Sequence, residues 1–183
     1  MALSALPEWP AVPPAHGPVF LRAVEDDDLE MARELSTDPY VPLVGTLPLN
    51  ASADQALGWI RRQQSRHAAR TGFSFTIVLK DSGTAVGHCG LWLSELDKGR
   101  ATAGYAVVPS KRGQGLAAAA LTALTDFAWT IPGLHRVALL IEPWNTASIR
   151  TAVRAGYERE GLLRSYTEIE GERRDMLLFA AVI

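Results

Sequence analysis

The chain has 183 residues, the span of one ordinary domain, and its 48% hydrophobic and 21% charged residues mark a globular rather than a disordered sequence. A formal net charge of -2, with no basic cluster beyond short pairs such as Arg61-Arg62, speaks against a nucleic-acid surface. Cys89 has no second cysteine to bridge to, which fits a reducing cytoplasm, and no apolar run approaches the length of a membrane span.

Met1 to Pro18 carries five prolines and no basic n-region, so it reads as an extended arm before a single domain over residues 19–183. Val19 to Val24 is the first predicted strand. The acidic run Glu25 to Asp28 then suits the positive start of a helix whose apolar positions are Leu29, Met31, Ala32 and Leu35. Three prolines and a glycine between Thr37 and Asn50 predict a long irregular connection, and loops of that length are commonly functional. Ser52 is placed to cap a second helix through about Arg70.

The period then changes from helical to alternating. Ser74 to Leu79, Ala85 to Ser94 and Thr102 to Val108 read as an antiparallel meander, with turns at Lys80 to Gly83 and Asp97 to Gly99. An alanine-rich helix runs to about Trp129, and Arg136 to Ile141 is a short buried strand. That strand, helix, strand order implies a right-handed parallel crossover. A fourth helix spans about Thr146 to Ala155 and closes at Gly156. Tyr157 to Ile169 and Arg173 to Val182 form the last two strands. The order β α α β β β α β α β β predicts a mixed α/β sheet.

The segment Val108 to Ala117 carries the most information. A glycine-rich turn entering a helix leaves several backbone N–H groups unpaired, and the helix dipole adds to their field, so the pair forms a site for phosphate. A tight connection with no ligand is the plainer alternative. Gly113, Gly115 and Ala118 also fit the relaxed dinucleotide fingerprint of a nicotinamide-dependent oxidoreductase. That fingerprint opens a parallel nucleotide-binding unit, whereas this turn follows a meander and only 65 residues remain beyond Ala118.

Arg112-Gly-Gln-Gly115-Leu-Ala117 resembles the R/Q-x-x-G-x-G/A signature of the GNAT acetyltransferases. Gly104 to Pro109 resembles that family's bulged strand. Glu142-Pro-Trp-Asn145-Thr-Ala-Ser148, Ala155-Gly156-Tyr157, Glu160-Gly161 with Arg164, and Arg174-Asp175 resemble the branch holding the ribosomal-protein N-terminal acetyltransferases. The resemblance implies a GNAT fold, with about six to seven mostly antiparallel strands, a central parallel crossover and about four helices. It also implies an enzyme that moves an acetyl group from acetyl-CoA to an amine acceptor, a peptide N-terminus or a small molecule, with a homodimer as a family trait.

By that resemblance Val107, Val108, Arg112, Gly113, Gln114, Gly115, Leu116, Ala117, Asn145 and Ser148 bind coenzyme A, and a backbone N–H at Val107 or Val108 supports the oxyanion. Ser148 is the expected proton donor to the leaving thiolate. Asn145 is otherwise a plain N-cap, since Asn145 and Ser148 share one helix face. The family's usual glutamate is replaced by Thr102, which leaves Glu142, Glu95, Glu168, His88 and His135 as candidate bases and keeps open a non-catalytic acyl-CoA-binding module. Glu142 is the preferred one because it ends a parallel strand. An α-amine, with a pKa of about 8, needs less help than a lysine amine near about 10.4. Tyr40, Trp92, Trp144 and Tyr166 are the expected acceptor walls, and no metal-ligand spacing occurs.

Overall fold

The computed structural model describes residues 6–183, so the part of the proline-rich arm over residues 1–5 lies outside the described residues. Eight strands form one sheet among the described residues: β1 (Ala15–His16), β2 (Val19–Ala23), β3 (Gly72–Leu79), β4 (Ala85–Glu95), β5 (Arg100–Val107), β6 (Arg136–Ile141), β7 (Glu158–Ile169) and β8 (Glu172–Val182). Their order is β1-β2-β3-β4-β5-β6-β8-β7, antiparallel throughout except at β5 and β6. Five helices accompany them: α1 (Leu29–Leu35), α2 (Val41–Val44), α3 (Ala53–Ala68), α4 (Leu116–Ala128) and α5 (Thr146–Arg154).

Two short elements exceed the count read from the sequence. β1 lies within the arm, where Ala15 pairs with Phe20, and Trp9 packs its ring on Phe75 at 4.8 Å. The arm is therefore partly a piece of the core rather than only an extended lead. α2 is a single turn inside the connection after α1, with Pro42 near its start.

Alternation along the strands gives the sheet two different faces. Phe73, Phe75 and Ile77 on β3, Cys89 and Leu91 on β4, and Ala103 and Tyr105 on β5 share the face covered by α4. Phe127 of α4 meets Phe73 and Phe75 edge-on at 4.9 and 5.4 Å, an arrangement that aromatic quadrupoles favour. The opposite face, under α1 and α3, is more polar. There Thr76 donates to the buried Asp28 carboxylate at 2.6 Å, and Arg66 of α3 donates to Ser74 at 2.8 Å.

The crossover from β5 through α4 to β6 positions the site. The two parallel strands pair only from Arg100 to Thr102 against Arg136 to Ala138. β5 then continues to Val107 and β6 to Ile141 without pairing, so the sheet opens into a cleft that widens toward the C-terminal ends of both strands. The bulge expected at Gly104 to Pro109 is not there. β5 holds an unbroken register with β4 from Thr102 to Val107, and the irregularity falls between Trp92 and Glu95 instead. The bulged segment thus lies at the closed end of the cleft, so the opening comes from strand divergence alone. No helix among the described residues is long and apolar enough to cross a membrane.

Candidate active site

At the open end of the cleft, β5 passes through a 3-10 turn at Pro109–Lys111 into α4. Gly115 is the N-cap at φ 76, no side chain caps the helix, and no acidic residue occupies its first turn. The first amides of α4 are therefore unpaired by helix geometry, and the dipole adds positive potential there. Gly113 and Gly115 both have φ in the left-handed region, at 77 and 76, and a Cβ on either would meet nothing within 4 Å. The turn is thus shaped by glycine and open to an anion. Gln114 is exposed, Ala117 partly buried and Leu116 buried, so Leu116 offers the site only its backbone.

The two candidate oxyanion donors separate. The Val108 N–H donates to the Val86 carbonyl of β4 at 2.9 Å, so it is already committed. Antiparallel ladders alternate, and the Val107 N–H consequently points away from β4 and into the cleft. Arg112 does not reach freely into the turn. Its Nε donates to the Val107 carbonyl at 3.0 Å and its Nη1 to Asp38 at 2.6 Å.

The loop from β6 to α5 brings together most of the other expected residues. Asn145 is the N-cap of α5, and its Oδ1 accepts from the Ser148 N–H at 3.0 Å. The Ser148 hydroxyl lies 2.7 Å from the hydroxyl of Tyr105, a pair in which either can donate, and the Tyr105 oxygen is also 3.2 Å from the Ser148 carbonyl. Glu142 is buried, and none of the ion pairs among the described residues includes it. The Tyr40 hydroxyl stands against the Glu142 carboxylate and the Asn145 amide. Burial first, and then the neighbouring carboxylate, push its pKa upward. The Trp144 ring meets that of Tyr40 edge-on at 4.8 Å and is 59% exposed, so one side of the pair is open to a ligand.

These groups fall on two sides of the sheet. Tyr105 and Ser148 belong to the α4 and α5 side, whereas Tyr40, from the α1 side, faces Glu142. Asn145 joins them, its side chain meeting both the Tyr40 hydroxyl and the Ser148 N–H. Trp92 lies on the Tyr40 side, flat across Gly90 and Gly104. A Cβ at Gly104 would sit 2.9 Å from its ring, so both the glycine and the indole are fixed by one another. Arg66 stands 5.1 Å above that ring, a cation–π distance. Tyr166 stands half-exposed on β7, and no aromatic pair among the described residues joins it to Tyr40 and Trp144.

The remaining candidate bases are dispersed. Glu95 pairs with Lys98 and Arg100 at the closed end of the cleft. Exposed His135 precedes β6 at that same end, where its backbone N–H donates to the Gly99 carbonyl. Glu168 is exposed, 3.8 Å from Arg173. His88 is buried against Trp59, its Nε2 without a partner, and burial above all pushes its pKa down to about 3. An imidazole so weakly basic holds no proton near neutral pH. Thr102 is exposed beside Trp92. Glu142 is therefore the candidate that the fold sets beside the cleft.

Two participants escaped the sequence reading. Asp38 sits in a proline-rich loop, and nothing local announces that its carboxylate reaches across to Arg112, 74 residues away. Tyr105 lies on the same strand face as Val107, a signal that alternation carries, but its meeting with Ser148 depends on where α5 docks.

Residues 19–158 match the family model described as an acetyltransferase (GNAT) domain. An uncharacterized N-acetyltransferase, p20 of Bacillus licheniformis, is 28% identical over 160 residues, covering 87% of this chain and 90% of that protein. The structure of Mycobacterium smegmatis RimJ in complex with CoA-disulfide superposes with a TM-score of 0.78 at 27% identity, covering 92% of this chain and 85% of RimJ. The GNAT-family acetyltransferase of Bacillus anthracis, at 18% identity, shares the fold with a TM-score of 0.80 over 93% of this chain and 98% of its own. With the splayed parallel strands, the uncapped glycine turn and a family match over most of its length, this chain belongs to the GNAT acetyltransferases.

Proposed function

We propose that the protein transfers an acetyl group from acetyl-CoA to a primary amine by direct attack on the thioester, with the α-amine of a protein or peptide as the first acceptor class and small-molecule amines as the second. The observation that carries this reading is the β5–β6 cleft, open at the uncapped start of α4, with Glu142 and Ser148 both in the segment that leaves β6 beside it. The likeness to RimJ, a protein solved with a CoA-disulfide, supports the cofactor.

The unpaired amides of the Gly113 to Ala117 turn suit the pyrophosphate of coenzyme A, and the free edges of β5 and β6 suit its amide-bearing arm. The amine approaches from the Tyr40 and Trp144 side. Glu142 there takes the proton that an ammonium must lose before it can attack, and a buried carboxylate without a cation is well matched to a cationic substrate. The Val107 N–H faces the carbonyl oxygen as charge develops on it. The Ser148 hydroxyl donates to the departing sulfur, its own oxygen accepting from the Tyr105 hydroxyl.

Ser148→Ala tests the arrangement by thiol release with an amine that the wild type acetylates. Turnover should fall at least about tenfold, the scale of one lost hydrogen bond to a charged group, and by more than acetyl-CoA affinity falls. Full turnover in that variant would remove Ser148 from the reaction.

A further inference from the structure

The acceptor loop and the pyrophosphate turn are tied to one another through two acidic side chains. Asp38 Oδ1 accepts from the backbone N–H groups of Tyr40 and Val41, both at 2.8 Å, and so sets the start of the loop that carries Tyr40. Its Oδ2 takes the Arg112 guanidinium at 2.6 Å. Arg112 in turn bonds the Val107 carbonyl, one residue before the turn begins. Four residues upstream, on α1, Glu34 accepts from the Ser110 N–H at 2.9 Å. The far end of the loop is closed by Ser36, whose carbonyl and hydroxyl accept from Asn50 and Ala51 at 2.8 and 2.9 Å. The side chain of Asp38 is 9% exposed, and the backbone donors and Arg112 together hold its pKa below the usual range although burial opposes them.

We infer that Asp38 is a positioning residue that clasps the CoA-binding turn to the acceptor loop through Arg112, so that CoA affinity and the order of the Tyr40 loop depend on each other. This rests on the reading that the turn holds coenzyme A. Asp38 touches neither the cleft nor the turn's amides; it acts by fixing Arg112 on one side and the Tyr40 and Val41 amides on the other. The two effects of removing its charge have opposite signs. As a plain anion beside a phosphate site, Asp38 opposes CoA, and Asp38→Asn would tighten binding by relieving repulsion and freeing Arg112. As a clasp, it supports CoA, and the same variant weakens binding.

Calorimetric titration of the full chain with CoA decides between them, using wild type, Asp38→Asn, Arg112→Gln and the double variant. The clasp predicts about a fivefold to tenfold weaker Kd for each single variant and no further loss in the double variant, the pattern of two residues in one contact. Hydrogen exchange across residues 39–50 should slow on adding CoA to the wild type and not to Asp38→Asn, a readout that a merely structural role would not move. Unchanged or tighter CoA binding in Asp38→Asn, or additive losses in the double variant, would overturn the inference. A wild type that does not bind CoA would instead overturn the assignment of the turn itself.

Discussion

Replacing Gly115 by alanine separates what the phosphate turn does for the fold from what it does for the ligand. At φ 76 an L-residue pays the left-handed backbone penalty, about 1–2 kcal/mol. Nothing in the protein lies within 4 Å of the added Cβ, so no steric cost is added. For a chain of this size the variant should melt about 2–8 °C below the wild type and remain folded at 25 °C. The ligand is affected differently. A Cβ at this N-cap crowds a phosphate seated on the first amides of α4, and losing one hydrogen bond from them to a charged phosphate removes roughly 1.5–3 kcal/mol, or about 10- to 150-fold in CoA affinity. Gly133→Ala is the matched control. Its φ is 80, its Cβ also meets nothing within 4 Å, and it lies in the turn before β6, at the closed end of the cleft. Calorimetric melting and CoA titration of both variants should give similar stability losses and affinity loss in Gly115→Ala alone. Equal CoA affinities for the two would refute the placement of the phosphate.

Glu142→Gln should leave CoA affinity unchanged and lower kcat/KM for an α-amine about 10²-fold at pH 7. The deficit should shrink above the amine's pKa of about 8, where the substrate no longer needs a base; a pH-rate profile for both proteins checks this. Tyr105→Phe should slow turnover about fivefold, since a neutral hydrogen bond is worth about 1 kcal/mol. Tyr105→Phe combined with Ser148→Ala should be no slower than Ser148→Ala alone, and additive losses would show that Tyr105 acts elsewhere. His88 stays neutral in the folded protein down to about pH 3 but titrates near 6.5 when unfolded. A depressed folded pKa means stability that is present above 6.5 and lost as pH falls toward 3. Urea unfolding should therefore show the wild type losing about 2 kcal/mol more than His88→Gln between pH 7 and 5.

The fold was largely legible because each element announces itself locally. Ser52 with Gln55 forms a capping box at the start of α3, the Lys80 to Gly83 turn follows β3, and Gly113 with Gly115 opens α4. The short elements were not, since two residues of β1 and one turn of α2 leave no period to read. Within the site, residues close together in sequence were recovered, as with Asn145 capping Ser148. Long-range partnerships were beyond reach. Asp38 with Arg112, Tyr105 with Ser148 and Tyr40 with Glu142 each join elements whose docking is set by the whole core. The same limit explains Val108, whose amide is lost to β4 for a reason that only strand register supplies.

Acetyl transfer across the β5–β6 cleft is read as thiol release from acetyl-CoA over a panel of amines, with peptides bearing free α-amines set beside polyamines and aminoglycosides. Saturable release is expected with at least one class, α-amine peptides first, together with acetylated product and a large loss of rate in Glu142→Gln. Tight CoA binding with no release from any amine, or release that Glu142→Gln leaves untouched, would contradict it.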